Sequence, residues 1–132
     1  GKREGQDLTI IAVGPLMPEA LKAAGELETD GISAEVVDPR SLLPLDRETL
    51  LGSVRKTGRV LIFDDSNRTC GFAAELAALI ADEAFEALRA PIRRVTRADV
   101  PVPFSPPLEA VVLPSRERLL AEAKALFAGA RR

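Results

Sequence analysis

The chain has 132 residues, 46% hydrophobic, with 18 Lys and Arg against 20 Asp and Glu for a formal charge of −2. That length suits one domain burying about two-thirds of the surface of its unfolded chain, and the interspersed charge gives no basic field for nucleic acid. His, Trp and Tyr are absent and Cys70 stands alone, so the usual neutral-pH proton shuttle, the commonest metal ligand and an internal disulfide are all excluded.

No apolar run reaches the ~20 residues of a membrane span and no signal peptide is visible, so no membrane contact and a reducing, cytoplasmic setting are expected. The chain starts at Gly1 without Met. We therefore expect a fragment of a longer protein that does not carry out a reaction alone.

Residues 1–7 are polar and Gly-containing and read as a linker end, leaving a domain over 8–128 and a frayed terminus over 129–132. Leu8 to Val13 is a near-continuous apolar run stopped by Gly14-Pro15, as in a strand buried on both faces. Pro18 to Glu28 sets Ala20, Leu21, Ala24 and Leu27 at helical spacing. Asp30-Gly31 ends that helix, and Ile32 to Val37 makes a second strand.

The stretch Val36-Val37-Asp38-Pro39-Arg40-Ser41-Leu42-Leu43-Pro44-Leu45-Asp46 is the pivot of the chain. It runs from a strand end, through two prolines that remove backbone donors, to Asp46 as a helix N-cap. The helix that follows carries Leu50, Leu51 and Val54 and closes at Thr57-Gly58.

Arg59 to Phe63 is the third strand, followed by the polar loop 64–71. Phe72 to Leu88 is the longest helical pattern, with Phe72, Leu76, Leu79, Ile80, Ala84 and Leu88 as its stripe and five further alanines that keep it slim. Ala90-Pro91 breaks it before a fourth, partly exposed strand over Ile92 to Thr96. Four prolines stiffen Asp99 to Pro107. Val111 to Leu113 is a short fifth strand, and a last helix begins at Pro114-Ser115-Arg116-Glu117 with Leu119, Leu120, Ala123 and Phe127 inward. Such alternation argues an α/β domain with a parallel or mostly parallel sheet between helical layers.

Several groups invite a chemical reading. Gly14-Pro15 could cradle a phosphate, but a plain turn is the better account of one Gly. Asp64, Asp65 and Asn67 follow a strand and offer oxygen ligands to Mg²⁺ or Ca²⁺, against the commoner solvated or capping carboxylate. Cys70 precedes a helix start that could activate it, yet no base accompanies it, which favours a buried or inert thiol. Asp38 and Arg40 could hold a substrate anion; a structural ion pair locking the crossover is preferred. No nucleophile, base and oxyanion set is present, so no catalytic, cofactor-binding or metal-binding residue is assigned.

Leu8 to Gly14, the string Val37 to Asp46, Thr57-Gly58-Arg59-Val60-Leu61, Gly71-Phe72-Ala73-Ala74-Glu75, and Ala90 to Thr96 through Pro101-Val102-Pro103-Phe104 occur in that order. Together they resemble the C-terminal domain of the transketolase family, and more narrowly the beta subunit of the first component of 2-oxo acid dehydrogenase complexes. Arg68-Thr69-Cys70-Gly71 is most similar to acetoin dehydrogenase beta subunits.

The resemblance implies a three-layer α/β/α fold with a five-stranded mixed sheet. It also implies a parent enzyme that uses thiamine diphosphate and Mg²⁺, bound in other domains between alpha and beta subunits. The parent reaction would be thiamine-dependent decarboxylation of a 2-oxo acid, or cleavage of acetoin, followed by acyl transfer to a lipoyl group. This domain would pair with a second beta subunit and help dock the lipoyl acyltransferase core. Phe72, Arg89, Val102 and Phe104 then become candidate interface residues. Arg89 stands where some relatives place an acidic residue that meets an arginine of the core, which implies either that this mode of docking does not apply or a partner of different charge. A small-anion binding module at the carboxyl ends of the strands is the alternative reading.

Overall fold

The computed structural model describes residues 3–39, 44–98 and 113–129. Four β-branched or aliphatic-rich segments form its sheet: β1 (Leu8–Ala12), β2 (Ala34–Val37), β3 (Val60–Asn67) and β4 (Arg93–Arg97). The order is β2-β1-β3-β4 and every neighbouring pair is parallel. β1 and β2 are buried at every position. This is why their sequences run apolar without alternation: helices cover both faces.

The helices are α1 (Met17–Thr29), α2 (Pro44–Thr57), α3 (Phe72–Glu83) and α4 (Arg116–Gly129). Strand alternation sorts the core into two halves. Leu8, Ile10, Ala12, Val36, Leu61, Phe63 and Val95 pack with Ala20, Ala24 and Leu27 of α1 and Leu119, Ala123 and Leu126 of α4. Ile11, Val37, Val60 and Ile62 point the other way, onto Leu50, Leu51 and Val54 of α2 and Ala73, Leu76 and Ile80 of α3. The result is the expected α/β sandwich of three layers.

Several expectations change. The described sheet has four strands, not five; of the expected fifth, residues 111 and 112 lie outside the described part and Leu113 sits in a bend. An antiparallel element appears at the opposite edge instead, as an isolated bridge between Arg3 and Val36. Arg3 to Asp7 lies along β2, with Gly5 buried. α2 begins at Pro44, so Asp46 is the third residue of the helix and not its N-cap. Proline at the first helical position lacks only an amide that would be unbonded there anyway.

β3 continues to Asn67, four residues past Phe63, with an irregularity in its pairing to β4 between the two. α3 stops at Glu83 instead of reaching Leu88. Ala84, fully buried with φ −136°, leaves the helix, and a single 3₁₀ turn over Phe85–Ala87 follows. This tighter path brings Arg89 back to donate its N–H to Gly58 O at 2.8 Å, a bond that a continuing helix would forgo. In α4, Leu126 takes the buried position; Phe127 is only partly buried, and the Arg59 guanidinium lies 4.7 Å from its ring centre.

Candidate functional site

The strand order reverses between β1 and β3, since β2 lies on one side of β1 and β3 on the other. In open parallel sheets the crevice at the carboxyl ends of two such strands is the usual ligand position. On the β1 side the chain enters a 3₁₀ turn over Gly14–Leu16, with Gly14 at φ +55°. A side chain at Gly14 would meet no atom within 4 Å, so its glycine answers to backbone conformation and not to crowding within the chain.

On the β3 side the polar string 64–67, anticipated as a loop, prolongs the strand, so its side chains alternate. Asp64, only 6% exposed, accepts a hydrogen bond from the Ser66 hydroxyl on one face. Asp65 pairs with Arg97 at 3.0 Å. Arg68 donates its N–H to Arg97 O at 3.0 Å, and Arg94 Nη1 donates to Arg68 O at 2.8 Å. The turn then folds back on its own strand: a Cβ on Gly71 would stand 2.0 Å from Asn67 O and 2.7 Å from Ser66 Oγ. Cys70 is exposed, not buried, and takes the left-handed conformation at φ +59°. Among the described residues, no three His, Cys, Asp or Glu side chains are grouped to hold a metal ion.

A second polar cluster lies inside the sheet–α2 interface, near the amino ends of β1 and β2. Thr9 Oγ1 is 2.8 Å from Ser53 Oγ and 2.7 Å from Thr57 Oγ1, and shares hydrogen bonds with both. Thr57 Oγ1 in turn donates to Arg59 O at 3.1 Å. Next to Thr9 in register is Glu35, 9% exposed, whose Oε1 accepts Gly5 N–H at 3.0 Å and the Lys56 ammonium. Burial pushes the Glu35 pKa up, but the hydrogen bonds from Lys56, Ser53 and Gly5 together with the Lys56 charge outweigh it and hold the carboxyl below its ordinary value.

Among the described residues, the anticipated interface residues Phe72 and Arg89 lie apart. Asp38 is half-buried just after β2, while Arg40 lies outside the described residues, as do Val102 and Phe104. Phe72 opens α3 at the carboxyl end of the sheet, 41% exposed. Arg89 follows the far end of that helix, where its Cγ would lie 2.8 Å from a Cβ on Gly58. The 12 residues of α3 separate the two by roughly 18 Å of helix. The Glu35–Lys56 pair and the Thr9–Ser53–Thr57 hydroxyls are not anticipated by sequence pattern. Their only signal is polar residues within apolar strands, Thr9 in Leu-Thr-Ile-Ile and Glu35 in Ala-Glu-Val-Val.

Comparison with known proteins bears on this arrangement. Residues 1–119 match the model of the family described as "Transketolase, C-terminal domain". The chain is 49% identical over 119 residues to the acetoin:2,6-dichlorophenolindophenol oxidoreductase subunit beta of Bacillus subtilis (strain 168), covering 90% of this chain and 35% of that protein. It is 48% identical over 123 residues to the pyruvate dehydrogenase E1 component subunit beta of the same organism, covering 93% and 38%. A solved split gene transketolase, an inactive beta4 tetramer, superposes with a TM-score of 0.78 at 32% identity, over 96% of this chain and 40% of that one. The chain thus spans little more than a third of the curated relatives it matches.

Proposed function

Since the chain belongs to the transketolase C-terminal domain family, we propose that it is the non-catalytic C-terminal domain of a beta subunit in a thiamine-dependent 2-oxo acid dehydrogenase of the pyruvate or acetoin type. The observation that carries the non-catalytic reading is the mutual engagement of the side chains at the carboxyl end of the sheet. Asp64 is bonded to Ser66, Asp65 to Arg97, and Arg94 to the backbone of Arg68. These residues do not fit a thiamine diphosphate–Mg²⁺ site: both carboxylates are already engaged, and the described residues offer no metal-holding group.

Its role is assembly: pairing with a second beta subunit, contact with an alpha subunit, and docking of the lipoyl acyltransferase core. Self-association is supported by the likeness to a chain solved as a beta4 tetramer. Phe72 and Arg89 are the described surface residues proposed for these contacts, Val102 and Phe104 the undescribed ones. A cytoplasmic site is proposed with it; no helix among the described residues is long and apolar enough to cross a membrane. Small-anion binding is disfavoured because the guanidinium groups at this edge are already engaged, Arg97 by Asp65 and Arg94 by Arg68 O.

Calorimetry of this chain with thiamine diphosphate and Mg²⁺ tests the reading: no binding is expected, and micromolar affinity would sink it. Joined to the rest of its reading frame and co-expressed with an alpha subunit, the domain should support 2-oxo acid or acetoin turnover.

A further inference from the structure

The segment Arg3–Asp7 is tied to β2 by backbone bonds only at its two ends. Arg3 N–H donates to Val36 O at 3.2 Å and Val36 N–H to Arg3 O at 2.9 Å; Asp7 N–H donates to Ser33 O at 2.8 Å. Between these points the contacts pass through side chains. Gly5 N–H donates to Glu35 Oε1 at 3.0 Å and Gln6 N–H to Ser33 Oγ at 3.1 Å. The segment also comes very close: a Cβ on Gly5 would stand 2.3 Å from the carbonyl carbon of Ala34. No side chain can occupy that position while the segment is docked.

Glu35 is the centre of this attachment, since the oxygen that takes Gly5 N–H also takes the Lys56 ammonium from α2. One carboxylate therefore connects three elements: the N-terminal segment, β2 and α2. The outer pair, Arg3 with Glu28 at 2.9 Å, is much more exposed, with Glu28 at 70%, and an exposed ion pair contributes little.

We propose that Glu35 is a latch that makes Arg3–Asp7 a separately releasable edge segment. Closed, the segment covers the outer backbone of β2; open, it leaves that edge bare while the rest of the sheet stays folded. The proposal is independent of the assembly role assigned above, because it concerns a contact within one chain.

Hydrogen exchange of the whole 132-residue chain, read by mass spectrometry, tests it. In Glu35→Gln, amides of residues 3–7 should exchange about tenfold faster, while β1 and β3 keep wild-type protection, as expected for a local opening. Gly5→Ala leaves the Glu35–Lys56 pair intact and should loosen the same residues. Glu28→Ala should leave them as in wild type. Three outcomes would overturn the latch: unchanged exchange in both Glu35→Gln and Gly5→Ala, acceleration spread equally over β1 and β3, or a Glu28→Ala effect as large as that of Glu35→Gln.

Discussion

The two faces of the sheet solve the same burial problem in different ways. The core of the face under α1 and α4 is apolar, with Leu8, Ile10, Leu61, Phe63 and Val95 against Ala20, Ala24, Leu27, Leu119 and Leu126. The face under α2 and α3 has an apolar centre but carries the Thr9–Ser53–Thr57 hydroxyls and Glu35 towards the amino end. Apolar contact is non-directional and tolerates adjustment, whereas a buried polar group must find its partner in one geometry. The first face supplies bulk stability. The second sets how α2 and the N-terminal segment sit on the sheet, as hydroxyls and a carboxylate out of register would lose their bonds.

The sharpest test of that division is volume loss on the apolar face. Phe63→Ala removes a fully buried ring and should lower unfolding free energy by about 3–5 kcal/mol, measured as a drop in denaturant midpoint at constant slope. An effect below that of a polar-face substitution would break the comparison.

On the polar face, Thr9→Val keeps shape but strips Ser53 and Thr57 of a shared partner. The expected loss is about 1–3 kcal/mol, the cost of leaving buried polar groups unmatched. Stability unchanged by Thr9→Val would mean that the hydroxyl cluster adds no order to the α2 interface.

Smaller still is a pH effect. Glu35 is held below its ordinary pKa of 4.5, so the folded state favours the carboxylate. Its stabilisation is fully present above the unfolded value and is lost as pH falls through the lower folded one. Denaturant melts below pH 4.5 should thus show wild type losing stability more steeply than Glu35→Gln, with the curves parallel near neutrality. Parallel curves at acid pH as well would remove Glu35 from the account.

The least costly change is at the surface. Phe72 is 41% exposed, so Phe72→Ala should move stability by no more than about 0.5 kcal/mol. If α3 meets a second copy, sedimentation should show weaker self-association at that unchanged melting temperature. A large loss of stability without a change in association would transfer Phe72 from surface to core.

Much of the architecture is legible in the order of the residues alone. Leu8 to Ala12 and Ala34 to Val37 are apolar enough that only a strand covered on both sides can satisfy them, and Ala20, Ala24 and Leu27 recur at the spacing of one helical face. These are short-range patterns, so neighbouring residues suffice to determine strand, helix and layer, and the ordered motifs from Leu8 to Thr96 suffice for the family.

Tertiary structure decided the rest. Whether 64–67 is loop or strand depended on backbone pairing with β4, where Asn67 registers with Arg97 and Arg68 N–H donates to Arg97 O. Whether α3 reached Leu88 depended on Arg89 bonding to Gly58. That the polar segment Arg3–Asp7 docks along β2 depended on Glu35 accepting the Gly5 N–H. Each outcome rests on a hydrogen bond between residues distant along the chain, and the energy of such a bond appears only when the fold has brought its two ends together.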